Sequence, residues 1–200
     1  MKHTLKTFIL LLVLTSINFA QTEWAFDKSH SNVSFSVVHM LIAETEGTFK
    51  TFDGKVITEG ESFENAQISL TVDLKSVDTD NEKRDNHLQS DDFFNTEKYP
   101  EMTFKGKKFT KVDDKNYELL GDLTIRDVTK EVKLDVVLNG FITDPWGNKR
   151  AGFKLKGEVN RFDYGLKWNK AIEAGGMVVS ETVTIKANIE LIQQSKVSQN

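Results

Sequence analysis

Cysteine is absent from the 200-residue chain. That excludes a disulfide framework, and it excludes the lipidated cysteine that tethers a bacterial lipoprotein. Proline occurs twice, at Pro100 and Pro145, and no Gly/Ser linker, block of like charge or internal repeat divides the sequence. One body is the simplest reading. Tyrosine is scarce, three against fourteen phenylalanines, so an interior built from these rings has few polar handles. Basic residues are outnumbered, 26 to 30. A nucleic-acid partner needs a basic face to neutralise phosphates, and this balance speaks against one.

Long apolar runs are missing as well. At the N-terminus Lys2 and Lys6 precede a short apolar core, residues 8–13 with Leu14 and Ile17, and Ala20 offers a small residue for cleavage. This is the pattern of a secretory signal peptide over residues 1–20. Its core of about ten residues falls short of the roughly 20 needed to span a bilayer, so no stable membrane anchor is expected. Cleavage there removes two lysines and no acid, leaving 24 basic residues against 30 acidic ones, a formal −6. The expectation is a single domain over residues 21–200, soluble in the periplasm, with enough chain for a substantial core.

What the mature chain does have is alternation. Ala66, Ile68, Leu70, Val72 and Leu74 alternate with polar residues, as do Tyr117, Leu119, Gly121, Leu123 and Ile125. So do Val132, Leu134, Val136 and Leu138, then Phe153, Leu155, Gly157 and Val159, then Val183, Ile185, Ala187, Ile189 and Leu191. Each run is a strand with one wet and one dry face. Adding residues 33–39, 47–57 and 102–109 gives about eight antiparallel strands. Turn chemistry at Asp53-Gly54, Arg126-Asp127, Asn139-Gly140 and Pro145-Trp146-Gly147-Asn148 separates them. The chief interruption is a short helical insertion around residues 79–98, one or two short helices, with Thr79 and Glu82 as a capping box and Ser90, Asp91 and Asp92 as a second helix start. Short consecutive connections favour an up-and-down barrel, which also removes sticky edges.

An eight-stranded barrel is either filled by side chains or holds one slender ligand. The dry faces carry Gly47, Ala66, Gly106, Gly121, Gly157 and Ala187 among large residues. These either open a lumen or fit the taper of a filled barrel, and the sequence leaves both readings standing. Two histidines bracket the stretch His30-Ser31-Asn32-Val33-Ser34-Phe35-Ser36-Val37-Val38-His39. Nine residues apart on a strand they point to opposite faces, roughly 30 Å from each other, so one metal cannot hold both.

The assembled residues resemble the YceI family of exported bacterial proteins. The matching stretches are Asp27-Lys28-Ser29-His30-Ser31 with Val33, Phe35, Val37 and His39, Gly47-Thr48-Phe49 with Phe52, and Ser76-Val77-Asp78-Thr79. They continue through Arg84-Asp85-Asn86-His87-Leu88, Asp91-Asp92-Phe93-Phe94, Tyr99-Pro100 with Phe104, and Gly121-Asp122-Leu123-Thr124-Ile125. Val128-Thr129-Lys130 and Arg161-Phe162-Asp163-Tyr164-Gly165 complete the series; Asp127 departs from the family's usual glycine. The resemblance implies an extended, lipocalin-like all-β antiparallel barrel whose tunnel holds a polyisoprenoid or similar long-chain lipid. It implies no catalytic residue, metal or cofactor. The tunnel-lining candidates are Val33, Phe35, Val37, His39, Phe49, Ile68, Leu70, Val72, Phe104, Leu123, Ile125, Leu134, Val136, Phe153, Leu155 and Ile185. His39, at one end of its face, is the candidate for a ligand head group.

Rival constellations exist. Asp85, His87, Asp91 and Asp92 form a possible metal or acid/base cluster, with His87 otherwise a loop residue packing the insertion onto the barrel. Arg161 and Asp163 share a strand face and could pair or select a phosphate. Trp24, Trp146 and Trp168 read as caps of the barrel. The alternative to a carrier is a periplasmic enzyme or stress sensor acting on a lipid-like amphiphile through His39 or the Asp85 cluster. The sequence leaves pairing into a homodimer open.

Overall fold

Alternation in sequence returns as alternation in burial. In the computed structural model, which describes residues 21–60, 62–171 and 175–194, Leu119, Gly121, Leu123 and Ile125 are buried while the residues between them are half-exposed. The elements are β1 (Gln21–Phe26), β2 (Asn32–His39), β3 (Ala43–Phe49), β4 (Phe52–Glu59), β5 (Ser62–Asp73) and β6 (Val77–Asp78). After these come α1 (Glu82–Gln89), β7 (Glu101–Lys111), β8 (Asn116–Ile125), β9 (Val128–Thr143), β10 (Lys149–Asn160) and β11 (Val179–Gln193). Eight strands close an antiparallel ring in the order β1-β4-β5-β7-β8-β9-β10-β11, with β11 pairing back to β1. The barrel is therefore closed, as the short connections favour.

One long strand divides its edge between two partners. Residues 191–193 of β11 pair with β1, and residues 179–188 pair with β2. β1 and β2 are thus one bent strand interrupted at residues 27–31. β3 follows β2 and β4 follows β1 with a matching break at Lys50 and Thr51. This corrects the single strand expected over residues 47–57. Phe49 and Phe52 are both buried, and residues three apart cannot face the same side of an unbroken strand, so the break is required. Asp53-Gly54 consequently lies inside β4, not in a turn. Asn139-Gly140 is likewise no turn: the β9–β10 register shifts there and Gly140 takes a φ of +142°.

The helical insertion holds one short helix, α1, where the sequence allowed one or two. Asn81 caps α1, its side-chain oxygen accepting from the Arg84 amide at 3.0 Å. Thr79, the expected cap, instead donates its hydroxyl to Asp85 at 2.5 Å. Ser90 ends the helix, its hydroxyl donating to the His87 carbonyl at 2.7 Å. Residues 91–100 then run in turns with no second helix. The two barrel ends differ as a result. One, the hairpin end, carries the β7–β8 and β9–β10 connections. The other, the helix end, carries α1, residues 90–100 and the 3-10 turn Arg161–Tyr164.

Candidate functional site: an apolar cavity

The dry faces enclose a cavity of about 210 Å³. All the residues named above for the tunnel line it except His39. His39 is the last residue of β2, opposite Ala43 and Val179, one step past Val37, the last of its face to reach the cavity. His39 thus stands at the end of its face, outside the cavity lining. Phe35, Ile68, Leu70, Leu155, Ile185 and Ala187 are half-buried, as expected for walls that border free space.

Glycine does not create that space. A methyl group at Gly47 would meet the Phe35 ring at 2.5 Å, and one at Gly121 or Gly157 would collide with Phe104 or Leu134. These positions seat large neighbours, the taper-fitting use of small residues. Ala187 is different, since it borders the cavity directly.

Aromatic rings plug the hairpin end. Trp24 lies 5.1 Å from Phe63, which lies 5.0 Å from Phe153 and 5.9 Å from Phe141, while Phe109 stacks on Tyr117 at 4.9 Å. The buried Trp24 ring donates its N–H to Thr58 at 3.1 Å. At the helix end Leu88, Phe93 and Phe94 form the roof. Trp168 packs outside it against Phe93 and His87. Trp24 and Trp168 are thus caps, but Trp146, 80% exposed on the β9–β10 turn, is not.

The wall offers a ligand almost nothing polar. Ser34, Thr103 and Arg161 are its polar members. The Ser34 hydroxyl donates to the Lys186 carbonyl at 3.3 Å. Arg161, 4% exposed, donates to the carbonyls of Ser180, Leu166, Trp168 and Val179. It does not pair with Asp163, which corrects that expectation: the guanidinium turns inward to staple the 3-10 turn to the start of β11. Burial pushes its pKa down, partly offset by Glu181.

The titratable clusters lie elsewhere. Asp85 is spent on Thr79, Asp91 on Asn95 and Arg126, and His87, which sits on α1 and not in a loop, on Asp92 at 2.9 Å. The four therefore do not converge on one point. A denser group sits where β1 hands over to β2. Arg150 contacts Asp27 and Glu190 at 2.6 Å and Asp144 at 2.7 Å, and His30 contacts Asp27 at 2.9 Å. Burial works to raise the Asp27 carboxyl, but bonds from Ser29, His30 and Arg150 outweigh it and hold the group well below the usual range. The bond to Asp27 raises the His30 imidazole. Asp27, His30 and Glu190 stand close enough together for a cation, but the Arg150 guanidinium already engages both carboxylates. The network clamps the bend in the wall.

The profile of the YceI-like domain matches residues 24–191. The chain belongs to the YceI-like family. A UPF0312 protein of Staphylococcus epidermidis is 38% identical over 170 residues, covering 84% of this chain and 96% of its own. The YCEI protein of Campylobacter jejuni is 26% identical, with a TM-score of 0.67 over 96% of this chain and all of that one. A domain from Saccharophagus degradans, described as polyisoprenoid-binding and implicated in plant cell wall breakdown, shares the fold at 17% identity, with a TM-score of 0.61 over 86% of this chain and 98% of its own.

Further members of the YceI-like cavity were not among the residues chosen from the sequence. Leu119, Val132, Ala187, Ile189 and Leu191 also line it, and all stand in the alternating runs, so the signal was available. Leu88, Phe93 and Phe94 come from the insertion, where no period marks the inward side.

Proposed function

We propose that this chain is an exported, non-catalytic binding protein that holds the hydrocarbon of an isoprenoid or similar long-chain lipid in its barrel, for transport, storage or scavenging. The carrying observation is the cavity itself: 210 Å³ with an apolar lining that contains no carboxylate, imidazole or amine. An apolar cavity of around 150 Å³ takes a benzene-sized guest, so this one has room for roughly eight to ten carbons of a chain. Each methylene buried contributes about 0.8 kcal/mol, enough for micromolar binding without polar contacts. The polyisoprenoid-binding description belongs to the Saccharophagus degradans domain. What brings it to this chain is the shared fold together with this chain's own apolar cavity.

Export rests on the signal peptide read at residues 1–20, which lie outside the described residues. No helix among the described residues is long and apolar enough to cross a membrane. The test is native mass spectrometry with solvent extraction on protein from Gln21 onward, purified from a periplasm without detergent. A stoichiometric isoprenoid or fatty acyl species is the expected result. A bare mass that stays bare after incubation with quinones, polyprenyl phosphates and fatty amides would overturn the reading. Fractionation of the expressing cells checks the compartment.

A further inference from the structure

The turn between β2 and β3 is strained and exposed at once. The Ile42 amide donates to the His39 carbonyl at 3.2 Å, and the two residues between them, Met40 and Leu41, take φ of +50° and +65°. Positive φ at both central positions is the signature of a type I′ turn, which favours Asn-Gly because a large side chain is strained there. Burial does not offset that strain: Met40 is 42% exposed, Leu41 63% and Ile42 88%. Large apolar side chains that cost the fold energy and gain little from its core point to a use outside the chain.

A second segment meets this tip. The Met40 amide donates to the Val178 carbonyl at 2.8 Å, and a methyl group at Gly176 would stand 3.1 Å from the Leu41 side chain. Met177, between those two residues, is itself 45% exposed. Met40, Leu41, Ile42 and Met177 thus gather in one aliphatic patch. Charges of both signs flank it. Glu44 lies on β3 just past the tip and accepts from the Ser36 hydroxyl at 3.2 Å, and Lys170 is exposed, its carbonyl accepting from the Val178 amide at 2.9 Å.

The patch belongs to the helix end of the barrel, because β11 pairs Thr182 with Asn160, which caps the 3-10 turn, and Val179 with His39. Val37 and Val179, which line the cavity, lead into the two segments that carry the patch. A stable contact with a second copy takes about 20–30 residues a side, far more than four side chains supply. As hydrocarbon they amount to about one fatty acyl chain, which gives weak, reversible attachment to a bilayer, on the order of 10⁴ M⁻¹. We propose that the β2–β3 tip, with Met177, inserts into the surface of a lipid bilayer and docks the helix end of the barrel against it. With mixed charge around the patch, a zwitterionic surface is sufficient. Weak attachment suits a carrier, which must leave the membrane with its cargo. The choice of a bilayer as partner rests on the lipid-binding reading above.

The test sediments the protein with sucrose-loaded phosphatidylcholine vesicles at millimolar lipid, comparing wild type with Met40→Asn combined with Leu41→Gly, and with Ile42→Ser. Wild type should pellet with the vesicles, and each variant should lower the bound-to-free ratio by at least about fivefold. The Asn-Gly variant should also melt at a higher temperature than wild type, since it relieves the turn. A lower melting temperature would show the pair serving the fold and would overturn the inference. Wild type left in the supernatant, or variants that pellet as wild type does, would overturn it as well. So would a wild-type dimer in analytical ultracentrifugation that both variants convert to monomer, because a second copy would then occupy the tip. Calorimetry with geranylgeraniol in the absence of vesicles separates the two readings. Wild type that binds the alcohol but not the vesicles overturns docking alone, and wild type that binds the vesicles but not the alcohol overturns the carrier reading and leaves docking in place.

Discussion

Replacing Ala187 by leucine puts three carbons into the space where a ligand chain is proposed to lie. Ala187 sits in β11 between Val33 of β2 and Leu155 of β10, half-buried and bordering the cavity. If those carbons displace three of the ligand's, the loss is about 0.8 kcal/mol each, or roughly 2.4 kcal/mol in all. That weakens binding by about fifty-fold. The same carbons cover apolar surface within the protein itself, so unfolding in urea should need more denaturant, by up to about 2 kcal/mol of added stability less any strain. The two readouts move in opposite directions. A variant that merely damaged the barrel would lose both affinity and stability. Calorimetric titration with geranylgeraniol beside a urea melt measures the pair. An affinity within threefold of wild type, in a protein shown to be folded, would refute the placement of the chain in the cavity.

Other consequences follow from single residues. The buried Tyr164 hydroxyl has no hydrogen-bond partner among the described residues, so Tyr164→Phe should raise stability by about 1 kcal/mol, seen as a melting temperature a few degrees higher. Gly121→Ala drives a methyl group into the Phe104 ring and should cost about 1–3 kcal/mol in a urea melt. His39→Ala should leave geranylgeraniol affinity unchanged in calorimetry, since His39 lies outside the cavity. The raised His30 pKa means that protonation favours the folded state. This contribution is complete below the ordinary histidine value near 6.5 and fades as pH rises through the higher folded-state value. Urea midpoints of wild type minus those of His30→Gln should therefore shrink from pH 5.5 to 8.5, and a flat difference would refute the coupling.

Much of the cavity was legible before any coordinates, because a strand has period two and a barrel has one inside. Once Leu119, Leu123 and Ile125 share a face, water on the other side fixes which face is which. The errors came where the period breaks. Phe49 and Phe52 carried the break in their spacing of three, and the bend between β3 and β4 is its consequence. The turns read from Asp53-Gly54 and Asn139-Gly140 failed because the same dipeptides serve a strand interior and a register shift, and pairing partners decide between them. His39 shares the face of Val33, Phe35 and Val37 but stands outside the cavity lining, because a face can continue past the residues that border the cavity.

By itself, then, the sequence determined the class of fold, the strand faces and the chemistry of the interior, since these follow from local period and from composition. The tertiary structure alone decided where the wall closes and which end is plugged. The pairing of β11 with β2 and the bonds from Arg150 to Asp27 and Glu190 join residues 40 to 156 positions apart. No local pattern encodes contacts at that range. They arise because one closed surface must satisfy its hydrogen bonds and bury its apolar face at the same time.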